Sequence, residues 1–217
     1  MEQAVLIVSI VWLAVLSPGA DFAMVSRNSC LYGRRAGLAV SVGIAMACWF
    51  HIAYAIFGIA IIQKVFPEAL DVIKLLGTAY LIYMGASTAL SRVVATGAIG
   101  AAGAAGESAG HAGRSGARGI FTGVLTNGLN PKTSIFVISL YSQVIGRETP
   151  VSQQFAWGLF ISLSHFLWFS LVSIWLSRPE VRAFVMRRQR IFNVAIGAIL
   201  TTFGILLLAF EQGGSIG

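Results

Sequence analysis

Six stretches of this chain are long and apolar enough to decide what solvent it folds in: Ala4 to Val25, Gly37 to Ile62, Ala69 to Leu90, Ile120 to Ile145, Phe155 to Leu176 and Ile191 to Phe210. Each can cross a hydrocarbon core, which takes about 20 helical residues. In lipid every backbone N–H and C=O must be satisfied inside the protein, so the segments must be helices. Composition agrees, with 57% of 217 residues hydrophobic and 11% charged, against roughly a quarter charged in a soluble domain. The sequence therefore predicts an all-α polytopic membrane protein with six transmembrane helices. The first stretch reads as a retained span and not as a secretory signal, because it opens with Glu2 and runs past Pro18-Gly19 into Asp21.

Two of the stretches are broken from within. Ser17-Pro18-Gly19-Ala20-Asp21 interrupts the first, and Asn127-Gly128-Leu129-Asn130-Pro131-Lys132 interrupts the fourth. Each places a helix breaker and polar or charged side chains at mid-bilayer depth, which is costly unless the site binds something. Proline lacks a donor and clashes with the preceding turn, so Pro18 and Pro131 free carbonyls near positions 14 and 127 and start new half-helices. The first amides after Pro18 would carry a partial positive charge suited to a carboxylate. Gly19 is expected to permit the turn and a close approach.

A stretch of Ala, Gly and Ser, residues 92 to 118, divides the chain into three spans on each side. Such composition makes a flexible tether, and Glu107 and His111 within it read as solvated side chains. The units 1–91 and 119–217 show weak internal similarity. Leu16-Ser17-Pro18-Gly19 aligns with Leu129-Asn130-Pro131-Lys132, His51 with His165, Gly43 with Gly158, and Gly77 and Gly85 with Gly197 and Gly204. A three-span unit ends on the side opposite its start, so the second unit is inverted. Two inverted three-helix repeats meeting at paired broken helices are a recurring plan of secondary transporters. The repeated glycines are expected to let helices pack closely.

With six spans, one group of loops holds Arg27, Arg34, Arg35, Arg92, Arg114, Arg118, Arg178, Arg182, Arg187, Arg188 and Arg190, and the other only Lys64, Lys74 and Arg147. The positive-inside rule makes the arginine-rich side cytoplasmic and turns both termini outward. This also accounts for the net charge of +7 without a nucleic-acid partner, since no recognition fold surrounds the arginines. Cys30 and Cys48 are too few for a disulfide framework or a thiol metal site and read as packing residues.

The candidate site follows from what remains at mid-depth. Asp21 can alternate between a proton and a substrate ammonium. Lys132 is the natural counter-charge, either to a substrate carboxylate or in a standing ion pair with Asp21. Ser17, Pro18 and Gly19 on one side and Asn127, Asn130 and Pro131 on the other complete a cradle for a zwitterion. His51 and His165 are open to two readings, a proton relay or substrate contact and a hydrogen-bonded core residue. No His-Glu-x-x-His helix, nucleophile elbow or Walker loop is present, so no enzyme, metal or other cofactor is expected and energy must come from an ion gradient.

At these residues the chain resembles the lysine exporter family, with its homoserine and threonine efflux branch. The resemblance rests on Leu16-Ser17-Pro18-Gly19-Ala20-Asp21-Phe22, Arg27-Asn28-Ser29 with Gly33-Arg34-Arg35-Ala36-Gly37, Lys74-Leu75-Leu76-Gly77-Thr78-Ala79-Tyr80-Leu81-Ile82-Tyr83-Met84-Gly85, and Thr126-Asn127-Gly128-Leu129-Asn130-Pro131-Lys132. It implies a bacterial inner-membrane exporter of amino acids or related small metabolites, driven by protons. The chain departs from the family where Ala20 replaces a frequent second proline, and near Ser142, where another proline is common. The expected partners are an amino acid, protons and the lipid bilayer, with a homo-oligomer left open. The competing readings are a metal-ion exporter of a related superfamily and a non-transporting membrane scaffold.

Overall fold

The computed structural model of the chain describes residues 2–66, 68–90, 116–142 and 149–213, and the regular structure among them is helical. The first apolar stretch becomes α1 (Glu2–Leu16) and α2 (Ala20–Tyr32), bent by 52° at Ser17-Pro18-Gly19. Helices α3 (Arg34–Val65) and α4 (Ala69–Leu90) follow. The fourth stretch is likewise split, into α5 (Gly116–Gly128) and α6 (Pro131–Leu140), and α7 (Val151–Leu176) and α8 (Pro179–Gly213) complete the chain. Both breaks thus fall where the prolines place them. Most of the 92–118 segment, with Glu107 and His111, lies outside the described residues, whereas Gly116 to Arg118 already belong to α5.

Among the described residues, three helical segments are long and apolar enough to cross a membrane: Arg34–Ile62, Val72–Leu90 and Val151–Leu176. The bent pair α1 and α2 makes a fourth if counted as one span, while Pro131–Leu140 and Arg190–Leu206 are apolar but shorter. The outward surface is that of a lipid-facing protein, with large apolar side chains such as Phe50 (65%) and Leu76 (63%) exposed. On a soluble monomer such a surface would be an association liability.

Helix α2 runs past the apolar stretch to Tyr32 because its polar end is buried against neighbours. Ser29 faces Gly37 of α3, and a side chain at Gly37 would strike Ser29 and also Ser173 of α7. Gly33 then reverses the chain with φ of 82°, a left-handed value that favours glycine.

Helix α3 is central, packed against α5 on one side and α7 on the other, and α4 pairs with α8. Small residues make these contacts close. A Cβ at Gly43 would lie 2.9 Å from the Gly123 Cα, and one at Gly123 would run into the Val40 carbonyl. Gly85 and Gly197 meet in the same way between α4 and α8, the packing expected of the repeated glycines. Because Val40 O is backbone and cannot step aside, Gly123→Ala should cost about 1–3 kcal/mol through overpacking. A melting temperature equal to wild type would show that α5 is not seated on α3 at this point.

The buried apolar side chains form two clusters. One joins α1, α3, α4 and α6 around Val11, Ile52, Leu81 and Val137, and the other joins α2, α3 and α7 around Val25, Ile44 and Val172. The buried polar residues of the two breaks lie where these clusters meet.

Candidate functional site

The proline at each break fixes what surrounds it. Pro131 is the first residue of α6, and Asn130 caps that helix by accepting the Lys132 backbone amide at 3.0 Å, as a good N-cap does. The cap sets the orientation of the Asn130 amide, whose nitrogen then donates to Asp21 Oδ2 at 3.1 Å. Helix α2 begins at Gly19 without a side-chain cap and carries Asp21 in its first turn, where its charge suits the helix dipole. The φ of −164° at Gly19 is ordinary extended backbone, so the turn itself does not require glycine, contrary to expectation. The approach to Lys132 is close: a Cβ there would lie 3.3 Å from Lys132 Cδ, so the lysine would have to give by a few tenths of an ångström.

Asp21 is buried, and its two oxygens differ. Oδ2 accepts from Asn127 Nδ2 at 2.8 Å, from Asn130 Nδ2 at 3.1 Å and from Thr133 Oγ1 at 3.5 Å. Oδ1 is buried and has no hydrogen-bond partner among the described residues. Thr133 also accepts from Asn127 Nδ2 at 3.2 Å, so its own hydroxyl hydrogen is available to Asp21.

Lys132 does not pair with Asp21. Its Nζ donates to the Ser17 carbonyl at 2.6 Å, placing the cation at the carbonyl end of α1, the end a positive charge stabilises. The standing ion pair is therefore not formed. Ser17 is held in turn by Thr88 of α4, with the two hydroxyl oxygens 2.8 Å apart. Since the Thr88 hydrogen goes to Met84 O at 2.7 Å, Ser17 is the donor.

Asp21 and Lys132 nevertheless line one cavity of about 20 Å³, together with Ser17, Gly19, Asn130, Thr133 and His165. Ala14, Val15, Phe22, Phe136 and Phe169 supply its apolar wall. That volume holds about one water-sized group, so the site is closed to a molecule as large as an amino acid. Of the residues singled out in the sequence, Pro18 and Pro131 shape the breaks without lining the cavity, and Asn127 stands behind Asp21 as a donor. His51 stands further back, with Nε2 2.9 Å from Asn127 O.

Sequence reasoning passed over Thr133, Phe136 and Phe169, and read Tyr54, whose hydroxyl lies 2.7 Å from His51 Nδ1, as a packing or lipid-facing aromatic. Thr133 carried a signal: it lies three residues after Asn130, hence on the same face once α6 starts at Pro131. Cys48, read as packing, also reaches the network, with Sγ 3.8 Å from Asn127 Oδ1. Among the described residues no three His, Cys, Asp or Glu side chains are grouped so as to hold a metal ion.

Fold and site together define a helical membrane protein that encloses an acid and a base, not paired with each other, in a cavity between two broken helices. The chain belongs to the LysE type translocator family, whose model matches residues 12–210. The threonine efflux protein of Escherichia coli K12 is 29% identical over 198 residues, covering 90% of this chain and 92% of that protein. The uncharacterized membrane protein YahN of the same organism is 28% identical over 96% of this chain and 90% of its own. The uncharacterized membrane protein YrhP of Bacillus subtilis 168 is 27% identical over 94% and 98% respectively. No solved structure matches the chain significantly.

Proposed function

We propose that this protein exports an amino acid or a related small metabolite from the cytoplasm in exchange for protons. One observation carries the reading. Asp21 has Oδ2 saturated by three neutral donors and Oδ1 buried without a partner, while the ammonium of Lys132 on the same cavity is committed only to a backbone carbonyl. A zwitterion presents an ammonium and a carboxylate a few ångströms apart, and these complement the two groups. In the cycle, Asp21 Oδ1 holds a proton in one phase and the substrate ammonium in the other, so loading one releases the other. The names of the threonine efflux relatives support an amino acid as cargo.

The membrane arrangement belongs to the same reading. Six crossings as two inverted repeats, residues 1–91 and 116–217 joined by a cytoplasmic linker, put the breaks α1/α2 and α5/α6 in equivalent places. The packing of α3 on α7 and of α4 on α8, each helix on its counterpart, supports that relation. The segregation of arginines supports outward termini in a bacterial inner membrane. A metal cargo has less behind it, because the donors around Asp21 are amides and hydroxyls and not additional anionic or imidazole ligands.

The test is reconstitution into proteoliposomes with an imposed pH gradient and a panel of labelled amino acids. Proton-dependent flux of at least one of them is the expected result. Flux that ignores the gradient removes the antiport, and no flux for any amino acid removes the reading.

A further inference from the structure

His51 and His165 look like a matched pair in the sequence, but the structure gives them different surroundings. His165 donates from Nδ1 to Ile161 O of its own helix at 2.8 Å, and its ring lines the cavity. His51 is fully buried (0% exposed), is absent from the cavity wall, and has both nitrogens engaged. Nε2 lies 2.9 Å from Asn127 O and Nδ1 lies 2.7 Å from the Tyr54 hydroxyl, with Ser134 Oγ at 3.4 Å from Nδ1. A carbonyl only accepts, so Nε2 carries the hydrogen and Nδ1 accepts from Tyr54.

The carbonyl so gripped is the one that Pro131 cannot reach with an amide. It takes the Asn130 amide at 2.9 Å in a tight turn and His51 as its second donor. Three residues earlier on the same face of α3, the Cys48 thiol reaches Asn127 Oδ1. Helix α3 therefore holds Asn127 by backbone and by side chain. The held amide spends both of its hydrogens, one on Asp21 Oδ2 and one on Thr133 Oγ1.

We propose that His51 is a positioning residue: it holds the Asn127 carbonyl at the helix break, and so fixes the amide that occupies Asp21 Oδ2 and leaves Oδ1 as the oxygen for exchange. The proposal rests on the reading of Asp21 as the exchanging acid. It assigns His51 no proton of its own to carry, since Nε2–H is committed to the Asn127 carbonyl and the ring does not line the cavity.

Three proteins test this: wild type, His51→Gln, whose amide nitrogen falls near the place of Nε2 without carrying a proton, and His51→Leu, which donates nothing. In proteoliposomes His51→Leu should raise KM about tenfold with an unchanged pH profile, while His51→Gln stays within about threefold of wild type, as expected for loss and retention of one buried donor. Loss of proton-driven flux in both variants with amino-acid exchange spared would make His51 a relay and overturn the proposal. An unchanged KM in His51→Leu would overturn it too. Should that variant fail to assemble, Tyr54→Phe removes only the hydroxyl that holds the other ring nitrogen and should raise KM by about threefold.

A readout independent of transport separates this proposal from the functional reading beneath it. The rate at which dicyclohexylcarbodiimide modifies Asp21 in purified protein, followed by mass spectrometry, should change at least about threefold in His51→Leu and return to the wild-type rate in His51→Gln. Equal rates in all three proteins would overturn the positioning role whether or not any amino acid is carried.

Discussion

Asp21→Asn will abolish proton-driven transport, by on the order of a hundredfold or more, equivalent to about 2.7 kcal/mol, while the protein remains folded. The substitution keeps the shape and an oxygen that can accept from the donors now on Oδ2, which are Asn127, Asn130 and Thr133. What it removes is the negative charge and the proton that charge can take up. The melting temperature should therefore stay within about 4 °C of wild type, and reconstituted flux should no longer respond to an imposed pH gradient. A scaffold would keep its partners after this change. Wild-type pH dependence of flux in the variant would remove Asp21 from the proton step.

What the sequence made legible was the chemistry that acts locally. Proline breaks a helix through its own ring and missing hydrogen, so Pro18 and Pro131 located both breaks before any neighbour was known. The apolar stretches likewise announced helices through length alone. Pairing was harder to read. Asp21 and Lys132 are the two opposite charges left at mid-depth, and charge by itself suggests an ion pair. The structure instead gives the ammonium to Ser17 O, because a lysine reaching the carbonyl end of α1 finds a helix-end acceptor where the chain bends away into α2. That outcome depends on how α6 is set against α1, which no local pattern records.

The two histidines make the same point. Equivalent positions in two halves gave them one expectation, yet His51 sits against a break and His165 against its own helix and the cavity. The asymmetry comes from α5 packing closely on α3 through Gly123 and Gly43, a contact between glycines 80 positions apart in the numbering of the chain. Glycines signal closeness without naming the partner. Asn127 follows from that contact, since it lies at the end of the helix that Gly123 seats.

Neutralising Lys132 should act on the other end of the substrate. One of its three ammonium hydrogens is used on Ser17 O, so two remain for a carboxylate without disturbing the break. Lys132→Gln should raise KM for the transported amino acid by on the order of a hundredfold, or about 2.7 kcal/mol. It should also erase the preference of the wild type for an amino acid over the corresponding amide, because the group that distinguishes them is gone. Lys132→Arg is not a rescue, since the ammonium sits in a cavity of about 20 Å³ and a guanidinium is a larger planar group. The double variant Asp21→Asn/Lys132→Gln separates a shared site from a structural pair. Breaking a buried ion pair at one end leaves an uncompensated charge, and removing the second charge then restores stability. Without such a pair the double variant should be no more stable than the single variants, and flux should be no better than in either single variant. Recovery of stability in the double variant relative to both singles would mean that the charges do meet in the resting protein. In that case the Ser17 carbonyl would not be the resting partner of Lys132.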